Sequence, residues 1–254
     1  MYEYLFFICL PIIAFLYAAV GHGGASGYLA LLSIFSFNII EPNAASCSIW
    51  QLKTIALTLN LFVAGIAFFQ YYRAGHFDKK LFFTLACASI PMAFLGGSML
   101  INTQIYFYAL AVFLLLAGLK LLFSKSKTDA KNVKKYNLPL ALLVGAIIGF
   151  ISGLLGIGGG IILSPILLLL AWSHAKTTAG VSALFIFVNS AAGLLGQAST
   201  VGLDYPSTMP LIVLLVIIGG FLGAYLGAKR FSEIRVKQLL AAVLLLASIK
   251  IFLG

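Results

Sequence analysis

Apolar stretches of membrane-spanning length recur along the whole 254-residue chain, separated by short polar or basic segments. The pattern predicts ten helical elements, five in each half. In the first half they cover 4–20, a short piece 26–39, then 43–70, 81–100 and 103–123. In the second they cover 138–155, a short piece 160–172, then 177–198, 207–228 and 235–253. Before each short piece the apolar run is interrupted, by Gly21-His22-Gly23-Gly24 and by Gly156-Ile157-Gly158-Gly159-Gly160. Glycine in a helix interior costs about 0.5–1 kcal/mol relative to alanine, so clustered glycines mark a break in the helix.

The two breaks bring both halves into register. Ala44 meets Ala179, the Asn60-to-Gly65 stretch resembles the one from Asn189, "FLGGS" at 94–98 matches "FLGAY" at 221–225, and "AGLKLLF" at 117–123 matches "ASIKIFL" at 247–253. The chain therefore reads as an N-terminal repeat, 1–127, and a C-terminal repeat, 128–254. Basic residues set their relative orientation. Let each short piece return toward the side from which its preceding helix came. The loops 73–80, 124–137, 173–176 and 229–237, which hold most of the lysines and arginines, then share one side. By the positive-inside bias that side is cytoplasmic, and both termini lie outside. Fusing each short piece with the helix before it would put 229–237 opposite the Lys-rich 124–137 loop. Charge thus prefers an odd number of crossings per half, with the second copy upside down. The expected fold is an all-α polytopic membrane protein of two inverted-topology repeats, each with a Gly-interrupted first helix and a short half-helix. Such repeats are a transporter architecture, with the substrate held near the midplane.

Composition agrees: 62% of residues are hydrophobic and 9% charged, with a mean hydropathy of +1.11. That is too little charge to cover a soluble domain. The formal net charge of +10 reads as topology rather than as a nucleic-acid surface. The first apolar run is expected to stay in the protein rather than be cleaved as a signal peptide, because it lacks a basic n-region. Cys9, Cys47 and Cys87 read as packing residues, and no Cys/His spacing suits a metal or cofactor. Gly21-x-Gly23 follows no strand and has Ser26 where a third glycine belongs, which excludes a dinucleotide site.

Each short piece is too short to cross the ~30 Å hydrocarbon core, so each break lies within the membrane, buried in protein or lining a wet cavity. A helix starting there points unpaired N–H groups and the positive end of its dipole inward. Two such starts make an anion site from backbone alone. Ser26 is placed to cap the first short helix. Lys53 sits about ten residues into its helix, hence roughly 15 Å deep, flanked by Gln51 and Thr54. An ionisable residue at that depth is a site candidate, and the alternative is a lysine snorkelling to the surface. His22 has Ile157 as its counterpart, so a break forms without a histidine. Its roles range from substrate contact through proton carriage to a bond with a nearby carbonyl. Ser46, Ser48, Asn60, Thr178, Ser182 and Asn189 either line the path or bond between helices. The candidate substrate-binding set is Gly21, His22, Gly23, Gly24, Ser26, Gln51, Lys53, Gly156, Gly158, Gly159 and Gly160.

The paired breaks "GHGGASGYLALL" and "GLLGIGGGIILSPILLLL" resemble those of the sulfite exporter TauE/SafE-like family, over essentially the whole chain. The second is the more specific match, and the first departs at Ala25, where a third consecutive glycine would fall. The resemblance implies secondary transport of a small anion of the sulfite or sulfonate class across a bacterial cytoplasmic (inner) membrane, with export the expected direction. It carries over the glycines of both breaks, whereas Lys53 and His22 come from the residue reading alone. The expected partners are that anion and the lipid bilayer, with no cofactor and no nucleic acid. A passive anion channel and proton- or sodium-coupled uptake are the alternatives within transport. An intramembrane enzyme lacks a nucleophile–base pair, paired carboxylates or a metal set, and a scaffold leaves Lys53 and the breaks without a purpose.

Overall fold

The computed structural model describes residues 2–29, 31–32, 49–99, 112, 115–116, 119, 122 and 133–253. Helix α1 spans Tyr2–Ala18, and α2 is the short piece helical at 25–29 and 31–32. Helices α3 (Ile49–Arg73) and α4 (Lys79–Gly97) complete the described first half, together with helical residues at 112, 115–116, 119 and 122. The second half holds α5 (Leu138–Leu155), α6 (Gly160–Leu169), α7 (Ala175–Ala198), α8 (Met209–Tyr225) and α9 (Glu233–Leu253). Among the described residues there is no strand, and five helices are long and apolar enough to cross a membrane. Nine of the ten helical elements predicted from the apolar pattern are present in the described residues, the first short piece in part; of the tenth, 103–123, only scattered residues are described. Ala44, Ser46, Ser48, the end of the first short piece and most of 103–123 and 124–137 lie outside the described residues.

Element ends follow local chemistry. Asp78 caps α4, its side chain accepting from Leu81 N–H at 3.0 Å. Helix α6 stops at Leu169, three residues before the predicted end. Ala171 turns left-handed there (φ 56°) and Trp172 N–H bonds back to the Leu167 carbonyl.

Packing pairs each half with the other. Helix α1 lies along α8, α4 lies along α5, and α3 crosses α7 at the centre, where α3 also meets α8 and α4 meets α7. Two large buried apolar clusters result, one around α4, α5, α6, α7 and α9, the other around α1, α2, α3 and α8, and a small third joins Tyr71, Ala179 and Ala228.

Glycines spaced by four make the outer pairs close. Gly145, Gly149 and Gly153 of α5 rest on the backbone of Leu85, Ser89 and Ala93 in α4. Gly219 and Gly223 of α8, with Gly227 in the π-helical turn Leu226–Arg230 that continues it, rest on Pro11, Phe15 and Ala19. At all six positions a Cβ would meet the facing carbonyl oxygen. This is the small-residue packing of membrane helices, with van der Waals contact in place of a hydrophobic drive. Both stripes belong to the second half.

Near the 74–78 loop, helix starts and ends are tied together. The Glu233 carboxylate accepts from Lys176 N–H at 2.9 Å and so places negative charge at the N-terminus of α7 as well as of its own α9. The Lys176 ammonium donates to the Ala228 carbonyl at 3.2 Å, and the Tyr71 hydroxyl donates to the Ala19 carbonyl at 2.6 Å. Burial lowers the His76 imidazole below its ordinary pKa. Lys176 adds to that shift and Glu233 opposes it.

Candidate functional site

The two breaks begin and end alike, with a positive-φ glycine closing the first helix and another opening the short one, and differ between, where Gly158 has positive φ and Gly23 does not. At the first, Gly21 is left-handed (φ 76°) and His22 N–H bonds back to the Tyr17 carbonyl, closing α1 with a C-terminal cap. Gly24, with φ 95°, then leads into α2. At the second, Gly156 is left-handed (φ 71°) and Ile157 N–H bonds back to the Ser152 carbonyl. Gly158 and Gly159, also left-handed, lead into α6. Left-handed backbone is readily open only to glycine, which is why both turns are glycine-rich.

Packing brings the breaks against one another through α3 and α7. Gly21 rests on Ala179 of α7, and Gly23 rests on Asn60 of α3. The Asn60 side chain reaches both breaks. Its Oδ1 accepts from Ala25 N–H, the first residue of α2, at 2.9 Å. Its Nδ2 donates to Ser190 Oγ at 3.3 Å and lies, with Ser190, against Gly158. A second link runs from His22 Nε2 to Ser164 Oγ on α6, 2.7 Å, and from Ser164 Oγ to Ser182 Oγ on α7, 2.8 Å. Because Ser164 donates onward, it accepts from His22, which fixes the proton on Nε2. His22 Nδ1 is then a bare acceptor, buried and unpartnered among the described residues. The ring lies beside Gly160.

Lys53 belongs to the second break. Its stem packs on Gly156, and its ammonium donates to the Leu154 carbonyl at 2.9 Å, 5.1 Å from the centre of the Trp50 ring. It is buried, at 5% exposure, so it does not snorkel. A cation on the last carbonyls of α5 complements that helix dipole. The side chains of Asp78, Asp204 and Glu233 all pair away from the breaks, with Leu81 N–H, Gln51 and Lys176 N–H.

Of the candidates named from sequence, His22, Lys53 and the glycines of both breaks come together. Two do not join them. Gln51 donates to Asp204 at 2.5 Å, in the loop after α7. Ser26 is the second helical residue of α2 and shares its hydroxyl with Tyr17 at 2.9 Å, while the acceptor on Ala25 N–H is supplied by Asn60. Of the path candidates, Asn60 and Ser182 join the site. Asn189 instead accepts from Ser89 and donates to the Phe185 carbonyl, and the hydroxyl of Thr178 has no partner among the described residues. Ser152, Ser164, Ser190 and Tyr28 at the breaks escaped the sequence reading. Ser152 had a signal, standing four residues, one helical turn, before Gly156. The groups assembled here, two helix starts, hydroxyls, amides and one ammonium, are mostly donors.

The sequence model of the family described as "Sulfite exporter TauE/SafE" matches residues 6–251. The chain is 31% identical to the probable membrane transporter protein y4hK of Sinorhizobium fredii over 247 residues, 96% of each chain. It is 24% identical to the probable membrane transporter protein YdhB of Bacillus subtilis over 241 residues, 89% of each. It is 28% identical to the probable membrane transporter protein MJ0441 of Methanocaldococcus jannaschii over 182 residues, covering 68% of this chain and 67% of that one. No solved structure gives a significant match. The chain belongs to the sulfite exporter TauE/SafE family of multi-pass membrane transporters.

Proposed function

We propose that the protein exports a small anion of the sulfite or sulfonate class, receiving it between the two glycine breaks and releasing it by alternating access. One observation carries the reading: both breaks meet inside the bundle, bridged by Asn60 and by His22–Ser164, with a buried ammonium beside them. Gly156, Gly158, Gly159 and Gly160 let an anion approach the backbone, Gly21, Gly23 and Gly24 let the first break pack closely beside it, and Lys53 supplies a full positive charge. An inside-negative potential of 100 mV favours anion exit by about 2.3 kcal/mol per charge, so outward transport needs no coupling ion.

The units are two inverted repeats, 1–127 and 128–254. Two features support this. The breaks begin and end alike in backbone, and helix pairing keeps its form when the halves are exchanged, first element with fourth (α1 with α8, α5 with α4) and third with third (α3 with α7). In this arrangement the basic loops face the cytoplasm of a bacterial cell and both termini face out.

Sulfite efflux from proteoliposomes tests the function. Wild-type protein should empty sulfite-loaded vesicles at a saturable rate, faster under a potential negative inside. Lys53→Ala should abolish efflux with assembly retained, and Lys53→Arg separates charge from shape. Normal efflux through Lys53→Ala would sink the charged site, and a rate that never saturates would make the protein a channel.

A further inference from the structure

The two breaks begin and end alike in backbone but do not share a set of partners. Wherever a helix begins, its first N–H groups need acceptors from outside the helix. At α2 the protein supplies one, Asn60 Oδ1 on Ala25 N–H. At α6 the cap position is Gly159, which has no side chain to offer, and among the described residues no other side chain accepts from the first amides of the helix. Exchange of the halves does not restore the missing cap, because Asn189, the counterpart of Asn60, is engaged with Ser89 and Phe185.

Around that open start stand polar groups with unused capacity. Ser152 is fully buried, its side chain lies against Gly159, and its Oγ has no partner among the described residues. The Cδ2 edge of the His22 ring faces Gly160, and its Nδ1 has no partner among the described residues. A buried hydroxyl or imidazole nitrogen left without a partner costs roughly 1–3 kcal/mol. Ser152, unsatisfied beside a helix start that no described side chain caps, is suited to a ligand oxygen, and His22 Nδ1 nearby has its own lone pair free. The ligand's chemistry follows from theirs: acceptor oxygens for the α6 amides and the Ser152 hydroxyl, and one O–H or N–H for His22 Nδ1. A singly protonated oxyanion such as hydrogensulfite meets all three.

We propose that the anion is bound at the second break alone, on the first-turn amides of α6 with Ser152 as side-chain donor, and that Asn60 is a positioning residue holding the first break, already capped, against it. This rests on the anion-transport reading. It differs from two equivalent half-sites in requiring that Ser152, which reaches only one break, matter for affinity.

Thermal stabilisation of the purified full chain by sulfite provides the test, with sulfate and methanesulfonate as comparison probes. Ser152→Ala should leave the anion-free protein as stable as the wild type or more so, since it removes an unsatisfied buried hydroxyl. The same change should weaken sulfite about tenfold, the value of one hydrogen bond to a charged acceptor. Asn60→Asp keeps the acceptor for Ala25 N–H but puts a negative charge beside Gly158. It should keep the fold and weaken sulfite by more than about tenfold. Methanesulfonate, with no proton to give His22, should bind less tightly than sulfite near neutral pH. Sulfite affinity unchanged in both variants would overturn the placement while leaving the transport reading intact. So would a Ser152→Ala protein that is less stable without anion, because the hydroxyl would then have a structural partner. A wild-type protein stabilised by none of the three anions would remove the transport reading, and the placement with it.

Discussion

Two glycine-to-alanine changes, Gly149→Ala and Gly193→Ala, should move stability in opposite directions, although both sit mid-helix and both are buried. Alanine is the better helix former by about 0.5–1 kcal/mol, so propensity alone stabilises both. At Gly193 that gain is kept. A Cβ there would lie 3.5 Å from Gly153 Cα and 3.6 Å from Leu57 Cδ1, ordinary van der Waals contact. At Gly149 it would meet the Ser89 carbonyl oxygen, with Ser89 Cα and Oγ both at 2.7 Å. Backbone cannot rotate aside as a long side chain can, so α5 must move away from α4. A radial gap of 0.5–1 Å forfeits about a quarter to a half of each dispersion well along the seam. Overpacking of this kind costs about 1–3 kcal/mol, outweighing the helix gain.

For a chain of this size 1 kcal/mol corresponds to roughly 2–4 °C in Tm. Net of the helix gain, Gly149→Ala should therefore unfold below the wild type in detergent, by up to roughly 10 °C, and Gly193→Ala about 1–4 °C above it. Differential scanning fluorimetry in one detergent at one protein concentration reads both. If Gly149→Ala matches or exceeds the wild type, the close approach of α4 and α5 is not what holds the pair together.

Tyr71→Phe leaves the Ala19 carbonyl without its hydroxyl partner and should cost about 1–3 kcal/mol in thermal unfolding; an unchanged Tm would remove that tie. His76 binds its proton more weakly in the folded protein than in the unfolded chain. Its contribution to stability is therefore present above the ordinary histidine range, about pH 6.5, and is lost as pH falls below it. Comparing His76→Gln with the wild type across that window should show the variant losing less stability on acidification, and parallel curves would refute the assignment.

What was legible in the sequence was whatever is local. Helix spans follow from apolar runs, and both breaks follow from glycines that a helix interior tolerates poorly. The burial of Lys53 fits its place among apolar neighbours, while the residues before Ile49, from which its depth is counted, lie outside the described ones. Partners across the fold were not legible. Ser26 stands where a capping serine belongs, yet the acceptor on Ala25 N–H comes from Asn60, 35 positions along the chain. Gln51 shares a helix turn with Lys53, but its amide turns to Asp204 on a loop of the other half. The glycine stripes were in plain view as G-x-x-x-G-x-x-x-G at 145–153 and at 219–227. The spacing of four gains its meaning only once α4 and α1 lie opposite.

That packing also limits how the molecule can move. Alternating access is often pictured as one repeat rocking against the other. Here each glycine-packed pair, α1 with α8 and α4 with α5, takes one helix from each half, with backbone against backbone. Rocking half against half would shear both seams at once. The units able to move intact are instead the two mixed pairs, pivoting about the crossed α3 and α7 that hold the breaks. Spin labels distinguish the two motions, once the native cysteines have been replaced. Ile12 of α1, Leu222 of α8 and Ile147 of α5 are each about half exposed and accept a label without entering the core. The Ile12–Leu222 distance should stay constant when sulfite is added, while Ile12–Ile147, between the pairs, should change. A shift in Ile12–Leu222 as large as that in Ile12–Ile147 would mean that the seams open, and the halves would then be the moving bodies.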